Sequence, residues 1–214
     1  MITDELETQL ISLIEWRQRH HFGKYRGKVH KVRTDAELGL VDVKVPELFG
    51  DDFVVEKARP CSPFAGAGHG FVAIPEEGDG VWVEFEGGNP SSPIWSGFWW
   101  ADNQMPEPKG ALVRSFITTG GHKLVMDDDA NEVQLLHAGG AELTMTDDDI
   151  TIKIGDSSIK LTKTDITLLA GAVSPQPKIK IEASQIALET STSGSVKLTS
   201  GGVDIGNGAM KVGA

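Results

Sequence analysis

The stretch V-W-V-E-F-E-G-G-N-P-S-S-P-I-W-S-G-F-W-W, residues 81–100, decides the fold of the first half of the chain. It alternates apolar and polar residues, breaks at glycine and proline, and returns as a second apolar run. This pattern predicts two strands with one core face and one outer face. We expect Val81, Val83 and Phe85 to face the core and residues 87–89 to form the turn.

The same stretch contains four of the chain's five tryptophans. Trp95, Trp99 and Trp100, together with Phe98, lie where this predicted hairpin ends. Two interpretations stay open for them. They pack in an ordinary core, or they form a contact between subunits, where tryptophan is enriched.

The rest of the first hundred residues reads as one helix and several short strands. Leu6, Leu10 and Leu13 follow three-to-four spacing, which predicts a short N-terminal helix over residues 1–20. Turn residues separate the strands that follow, which predicts a small β-barrel over residues 21–100. The further candidate strands are V-H-K-V at 29–32, L-V-D-V-K-V at 40–45 and F-V-A-I at 71–74.

Composition limits the possible function classes. The 214-residue chain has a formal net charge of -11, and this argues against nucleic acid as the main partner, because phosphate binding needs clustered positive charge. Cys61 is the only cysteine, so no disulfide forms within the chain. The acidic N-terminus differs from a signal peptide, and no apolar run is long enough to cross a bilayer. We therefore expect synthesis in the cytoplasm without a signal peptide.

The second half differs in composition from the first. The last aromatic residue is Phe116, and the segment before it contains two prolines and a glycine within residues 101–110. Such a change predicts a domain boundary. We expect a linker at 101–116 and a separate domain at 117–214.

This second domain repeats a short pattern, an apolar residue, any residue and another apolar residue. Most repeats are seven residues apart, with polar residues and glycine between them. A period of two within each repeat indicates strands and argues against a coiled coil. The pairs begin at Leu143, Ile150, Ile159, Ile166, Ile179, Ile186, Val196, Val203 and Met210.

Strands this short bury few side chains, and the domain has no aromatic residues to fill a wide interior. The simplest closed structure is an intertwined trimeric β-helix or β-prism, in which three chains each supply one side. The chain is thus expected to be an all-β homotrimer with the apolar residues on its axis. The predicted trimer core is Leu143, Ile150, Ile152, Ile159, Leu161, Ile166, Leu168, Ile179, Ile181, Ile186, Leu188, Val196, Leu198, Val203 and Ile205.

Four segments of the first half resemble the OB-fold domain of phage baseplate assembly protein V and the VgrG-like spikes of contractile injection systems. They are Y-R-G-K-V at 25–29, L-G-L-V-D-V-K-V-P at 38–46, A-R-P-C-S-P-F-A-G at 58–66 and the long run from Gly70 to Trp99. The family usually has L-G-R-V where this chain has Leu40.

The resemblance implies a trimeric central spike that is driven through the target envelope when the sheath contracts. It implies a hub protein and tube proteins as partners, and a phage tail or related extracellular injection particle as the location. Histidine is absent after His137, so the H-x-H iron site of some relatives is missing. We therefore expect a separate PAAR-repeat tip protein to bind the C-terminal residues Met210, Val212, Gly213 and Ala214.

Other chemistry is disfavoured by the residue patterns, and no cofactor, metal site or catalytic residue is predicted. Cys61 reads as structural, the glycines at 66–70 as a strand connection, and the acidic triplets 127–129 and 147–149 as solvated turns. Whether an ion is bound on the prism axis stays open. The basic run 17–33 leaves one alternative, in which the barrel binds single-stranded nucleic acid or carbohydrate.

Overall fold

The computed structural model describes residues 2–34, 37–190, 194–206 and 208–213. The chain forms two compact units, Met1–Met105 and Pro106–Ala214. The first contains a helix and a barrel, and the second is one long sheet. The all-β fold class predicted from the sequence, a barrel with a short helix followed by a strand-only domain, is confirmed.

Helix α1 spans Ile2–Arg19, as the three-to-four spacing predicts. Asp4 and Glu5 lie in its first turn and Arg17 and Arg19 in its last, so both ends complement the helix dipole. The chain leaves the helix through His20 and enters the barrel.

The barrel is closed, with strand order β1-β2-β3-β7-β6. All neighbouring strands are antiparallel except β3 and β7, which are parallel. A closed five-stranded barrel of this kind matches the OB-fold architecture. Its elements are β1 (Tyr25–Val32), β2 (Val41–Lys44), α2 (Pro46–Phe49), β3 (Val55–Pro60), β4 (Ala65–Gly66), β5 (His69–Gly70), β6 (Gly80–Phe85), a 3₁₀ turn (Glu86–Gly88) and β7 (Pro93–Phe98).

The barrel core confirms the alternation predicted for β6. Val81 and Val83 are fully buried, and Phe85 is 6% exposed. The predicted turn also forms, since Gly87 and Gly88 both have positive φ. The quoted stretch therefore supplies two adjacent strands of the barrel.

The predicted strand F-V-A-I at 71–74 is wrong. Residues 71–76 have no regular secondary structure, and Phe71 and Val72 are 52% and 76% exposed. The glycine-rich segment before it forms the small hairpin of β4 and β5, which pairs only with itself. An apolar run without a neighbouring strand to pair with does not form a ladder, and sequence periodicity carries no information about that neighbour.

The second unit is a twelve-stranded sheet in which each strand pairs antiparallel with the one before it. Each of the nine predicted apolar pairs lies in one of the strands β11 to β19. The strands are β8 (Val113–Ile117), β9 (Lys123–Asp127), β10 (Glu132–Leu136), β11 (Ala141–Met145), β12 (Asp149–Ile154), β13 (Ser157–Thr162), β14 (Asp165–Leu169), β15 (Lys178–Glu182), β16 (Gln185–Glu189), β17 (Ser195–Thr199), β18 (Gly202–Ile205) and β19 (Met210–Val212).

The seven-residue period has a simple structural origin. Strand β15 has five residues and two residues join it to β16, so one strand and one connection together span seven residues. A loop at 170–177 replaces the short turn between β14 and β15, and this accounts for the longest interval in the repeat. Strand β8 begins at Val113, within the segment 101–116 that the sequence assigns to a linker.

Candidate assembly surfaces

The cross-strand register of the long sheet places its apolar residues in two adjacent columns. Ile152, for example, lies opposite Leu143 on one side and Ile159 on the other. One column is Leu124, Leu135, Leu143, Ile152, Ile159, Leu168, Ile179, Leu188, Val196, Ile205 and Met210. The other is Met126, Val133, Met145, Ile150, Leu161, Ile166, Ile181, Ile186, Leu198, Val203 and Val212.

The two columns lie on one face of the sheet, because their members are two residues apart in every strand. We call this the apolar face. All fifteen residues predicted for the trimer core belong to it. Its first part, in β9 and β10, was not predicted, although Leu124 with Met126 and Val133 with Leu135 repeat the same apolar spacing.

The apolar face is open in the single chain. Ile150, Ile152 and Leu188 are 40%, 41% and 42% exposed, whereas no valine of the barrel core is more than 5% exposed. A groove of about 780 Å³ runs along it between Ile152 and Ile205. A sheet with a continuous apolar face needs a second layer to cover it. This surface is therefore incomplete without a partner.

The opposite face carries ion pairs, both between neighbouring strands and, for Lys180 and Glu182, within β15. Lys160 Nζ lies 2.7 Å from Asp149 Oδ2, and Lys180 Nζ lies 3.1 Å from Asp165 Oδ2 and 2.7 Å from Glu182 Oε1. The hydrogen bond from Lys160 holds the pKa of Asp149 below its ordinary value. The Thr162 hydroxyl, followed by Lys180, does the same for the pKa of Asp165. This face is suited to water.

The last described strand, β19, has a single neighbour, β18, and lies at the edge of the sheet. Met210 and Val212 are 56% and 55% exposed. Gly213 follows the strand, and Ala214, the fourth residue predicted for the tip contact, lies outside the described residues. An edge strand presents unpaired backbone groups to which another chain can bind.

The aromatic residues at the end of the barrel have different environments. Trp95 packs in the core, and its indole N–H donates to the carbonyl oxygen of Gly39 at 3.0 Å. Trp99 is half-buried, with its indole N–H 3.2 Å from the carbonyl oxygen of Val81. Phe98 and Trp100 are 42% and 59% exposed. The interpretation as ordinary core packing is thus correct for Trp95. Phe98 and Trp100, in contrast, leave apolar surface exposed.

The basic run 17–33 is largely engaged within the chain. Arg26 lies over the rings of Trp82 and Trp99, 5.8 and 5.4 Å from their centroids. Arg33 donates to both carboxylate oxygens of Asp42, which is 4% exposed and also accepts the Lys57 backbone N–H at 2.9 Å. This buried pair was not predicted from the sequence. An aspartate within the apolar run L-V-D-V-K-V was its only signal.

The candidates for chemistry do not come together as a site. Cys61 is a free, exposed thiol. Asp127 accepts backbone N–H groups from Asp129 and Ala130, as in a turn, and Lys163 pairs with Asp148. Across the part of the chain that the structure describes, no three His, Cys, Asp or Glu side chains are placed to hold a metal ion.

Two family models match the chain. The type VI secretion system/phage-baseplate injector OB domain matches residues 25–100, and the phage baseplate V C-terminal trimerisation domain matches residues 115–174. The chain belongs to the phage baseplate V family. A search of curated proteins gave no match.

A phage baseplate V protein is a structural component of the baseplate spike, within a virion-associated particle, and its C-terminal domain trimerises. The matched trimerisation domain ends at residue 174, but the apolar face continues through β15 to β19 in the same register. Among the described residues, no helix has the length and apolar character to cross a membrane.

Proposed function

We propose that three copies of this baseplate V chain form a needle, which pierces the target envelope when the tail sheath contracts. The apolar faces of three sheets pack against one another around a common axis, with the ion-paired faces outward. The observation that supports this best is the unbroken pair of apolar columns from β9 to β19. Each column residue that becomes buried contributes roughly 1–2 kcal/mol from the area removed from water.

The proposed work is mechanical and needs no catalytic residue. At about 4.8 Å between strands, a twelve-stranded sheet extends for about 50 Å. Continuous hydrogen bonding along this length, with a packed apolar axis, resists bending and compression. The ion pairs on the outer face keep the needle soluble until it is used.

We further propose that the needle joins the hub and tube of the baseplate to a separate tip protein. The barrel unit binds the hub, and its exposed apolar residues Phe64, Phe71 and Val72 support such a contact. A PAAR-repeat tip protein covers the open edge of β19, where Met210 and Val212 supply apolar contacts. The same proposal includes the location of the needle in an extracellular particle and its passage through the target envelope.

The native mass of the purified full chain tests this assignment. Light scattering is expected to give about three times the chain mass of 23.0 kDa. A stable monomer at micromolar concentration would leave the apolar face uncovered and would overturn the proposal.

A further inference from the structure

Helix α1 carries an apolar surface in addition to the apolar face of the sheet. The proposed packing of the three sheets does not cover it. Every side chain described from Asp4 to Arg19 is exposed. Leu6, Leu10 and Leu13 are 60%, 57% and 59% exposed. We call these three leucines the leucine stripe. Three exposed leucines on one helix form a patch that a stable protein normally covers.

The helix is amphipathic with the spacing of a coiled coil. The leucine stripe follows intervals of four and three residues, and Ile14 widens the same side. The other side is polar. Its polar residues are Glu5, Thr8, Ser12, Glu15 and Arg19, of which Glu15 and Arg19 form an ion pair at 3.6 Å. Trp16 lies on this same side, one turn after Ser12, and packs against His20 and Phe22. One side of the helix is suited to water and the other to a partner.

In the described part of α1, the contacts with the barrel lie at the C-terminal end of the helix. The Trp16 ring stacks on His20 at 4.5 Å between centroids, and it lies 5.6 Å from Phe22. Phe22 covers Gly88, where a Cβ would lie 2.6 Å from the Phe22 ring. The backbone N–H of His21 donates to the carbonyl oxygen of Gly88 at 2.8 Å. These contacts fix the end of the helix to the barrel and leave the leucine stripe open.

We propose that the leucine stripe binds the α1 helices of the two other copies, so that three helices form a short parallel bundle at the N-terminal end of the trimer. The trimerisation domain already brings two identical helices into the same particle, which raises their local concentration to the millimolar range. An 18-residue helix is marginal alone but stable once its apolar side is packed. This inference rests on the homotrimer proposed above.

The symmetry of the trimer favours this occupant. Three identical helices, each attached to its barrel by the same residues, present identical leucines to a common axis. Leu6, Leu10 and Leu13 then form three successive layers, each made by three leucines. The side chain of Ile14 flanks these layers, and such a wide apolar side is better covered by two neighbours than by one.

Disulfide trapping in the full chain tests the bundle. In a Cys61→Ser background, Leu10→Cys places a thiol in the central layer, and Ser12→Cys places one on the polar side as the matched control. Mild oxidation is expected to give about tenfold more covalent dimer with Leu10→Cys than with Ser12→Cys, independent of protein concentration. The helix content at 222 nm shows whether each variant keeps α1 folded.

The outcomes distinguish the proposal of the helix bundle from the proposal of the trimeric needle. Equal cross-linking of the two variants in a chain that light scattering shows to be trimeric overturns the bundle and leaves the needle standing. The leucine stripe would then face another baseplate protein. A monomeric chain without cross-links overturns both. If Leu10→Cys loses helix content, Leu6→Cys is used at the first layer with the same expectation.

Discussion

Ile152 and Lys153 are neighbours in the chain but lie on opposite faces of β12, and their substitution tests the assignment of those faces. Ile152→Asp places three carboxylates on the proposed axis, between Leu143 and Ile159 of each chain. A buried, uncompensated charge costs about 3–5 kcal/mol, so we expect the trimer to dissociate at micromolar concentration. Ile181→Asp is expected to do the same from the other column.

Lys153→Ala is the matched control on the polar face. It removes only an exposed ion pair, with 3.1 Å between Lys153 Nζ and Glu142 Oε1. Exposed pairs contribute little to stability. Native mass by light scattering should therefore stay trimeric. Similar masses for Ile152→Asp and Lys153→Ala would contradict the proposed direction of the apolar face.

Asp42 provides a test of the barrel that does not involve the sheet. Asp42→Ala leaves Arg33 without its bidentate partner and the backbone N–H of Lys57 unpaired. Buried groups that lose their partners destabilise a fold, and we expect the melting temperature of the barrel to fall by on the order of 5–10 °C. Glu56→Ala, which removes a largely exposed carboxylate 3.7 Å from Arg33, should have little effect. Scanning calorimetry distinguishes the two variants.

At the scale of strands, the sequence predicts most of what the structure contains, for physical reasons that can be named. Alternation identifies β6 because each side chain meets either core or solvent. The repeated apolar pattern identifies β11 to β19, because adjacent strands of the sheet place the same kind of side chain on the same face. The irregular segment at 71–76, after the small hairpin of β4 and β5, could not be predicted, since the presence or absence of a neighbouring strand depends on distant parts of the chain. The buried partner of Asp42 depends on the same long-range folding.

The ion pairs on the polar face of the sheet predict that its stability decreases in acid. The pKa values of Asp149, Asp165 and Glu182 are lowered in the folded chain. These carboxylates therefore add stability above their unfolded pKa values, about 4. That contribution is lost as the pH falls through the folded values. We expect resistance to urea to be constant from pH 7 to about 5 and to decrease below about pH 4.

Lys180→Met tests the origin of this acid sensitivity. Lys180 pairs with both Asp165 and Glu182, so its removal should flatten the decrease at low pH. Lys163→Met is the control, because Lys163 pairs with Asp148, whose side chain is 86% exposed. Urea titrations at pH 3, 5 and 7 compare the variants. An unchanged pH profile for Lys180→Met would mean that other carboxylates cause the acid effect.

At the scale of the whole molecule, two truncations distinguish which part holds the trimer together. Removal of residues 117–214 deletes almost the entire sheet, and we expect a monomer, because three 18-residue helices are too short to hold the barrels together alone. Removal of residues 178–214 keeps β8 to β14 and the matched trimerisation domain. This second fragment should stay trimeric, but with fewer apolar layers on its axis.

The shorter needle should therefore dissociate at a lower temperature than the full chain, by on the order of 10 °C or more, because each lost column residue removes buried apolar area. Light scattering during a temperature ramp measures this directly. If both trimers dissociate at the same temperature, β15 to β19 do not contribute to the interface, and the trimer ends with the matched domain. If the fragment without residues 117–214 stays trimeric, the barrel and helix α1 assemble the spike, and the sheet only extends it.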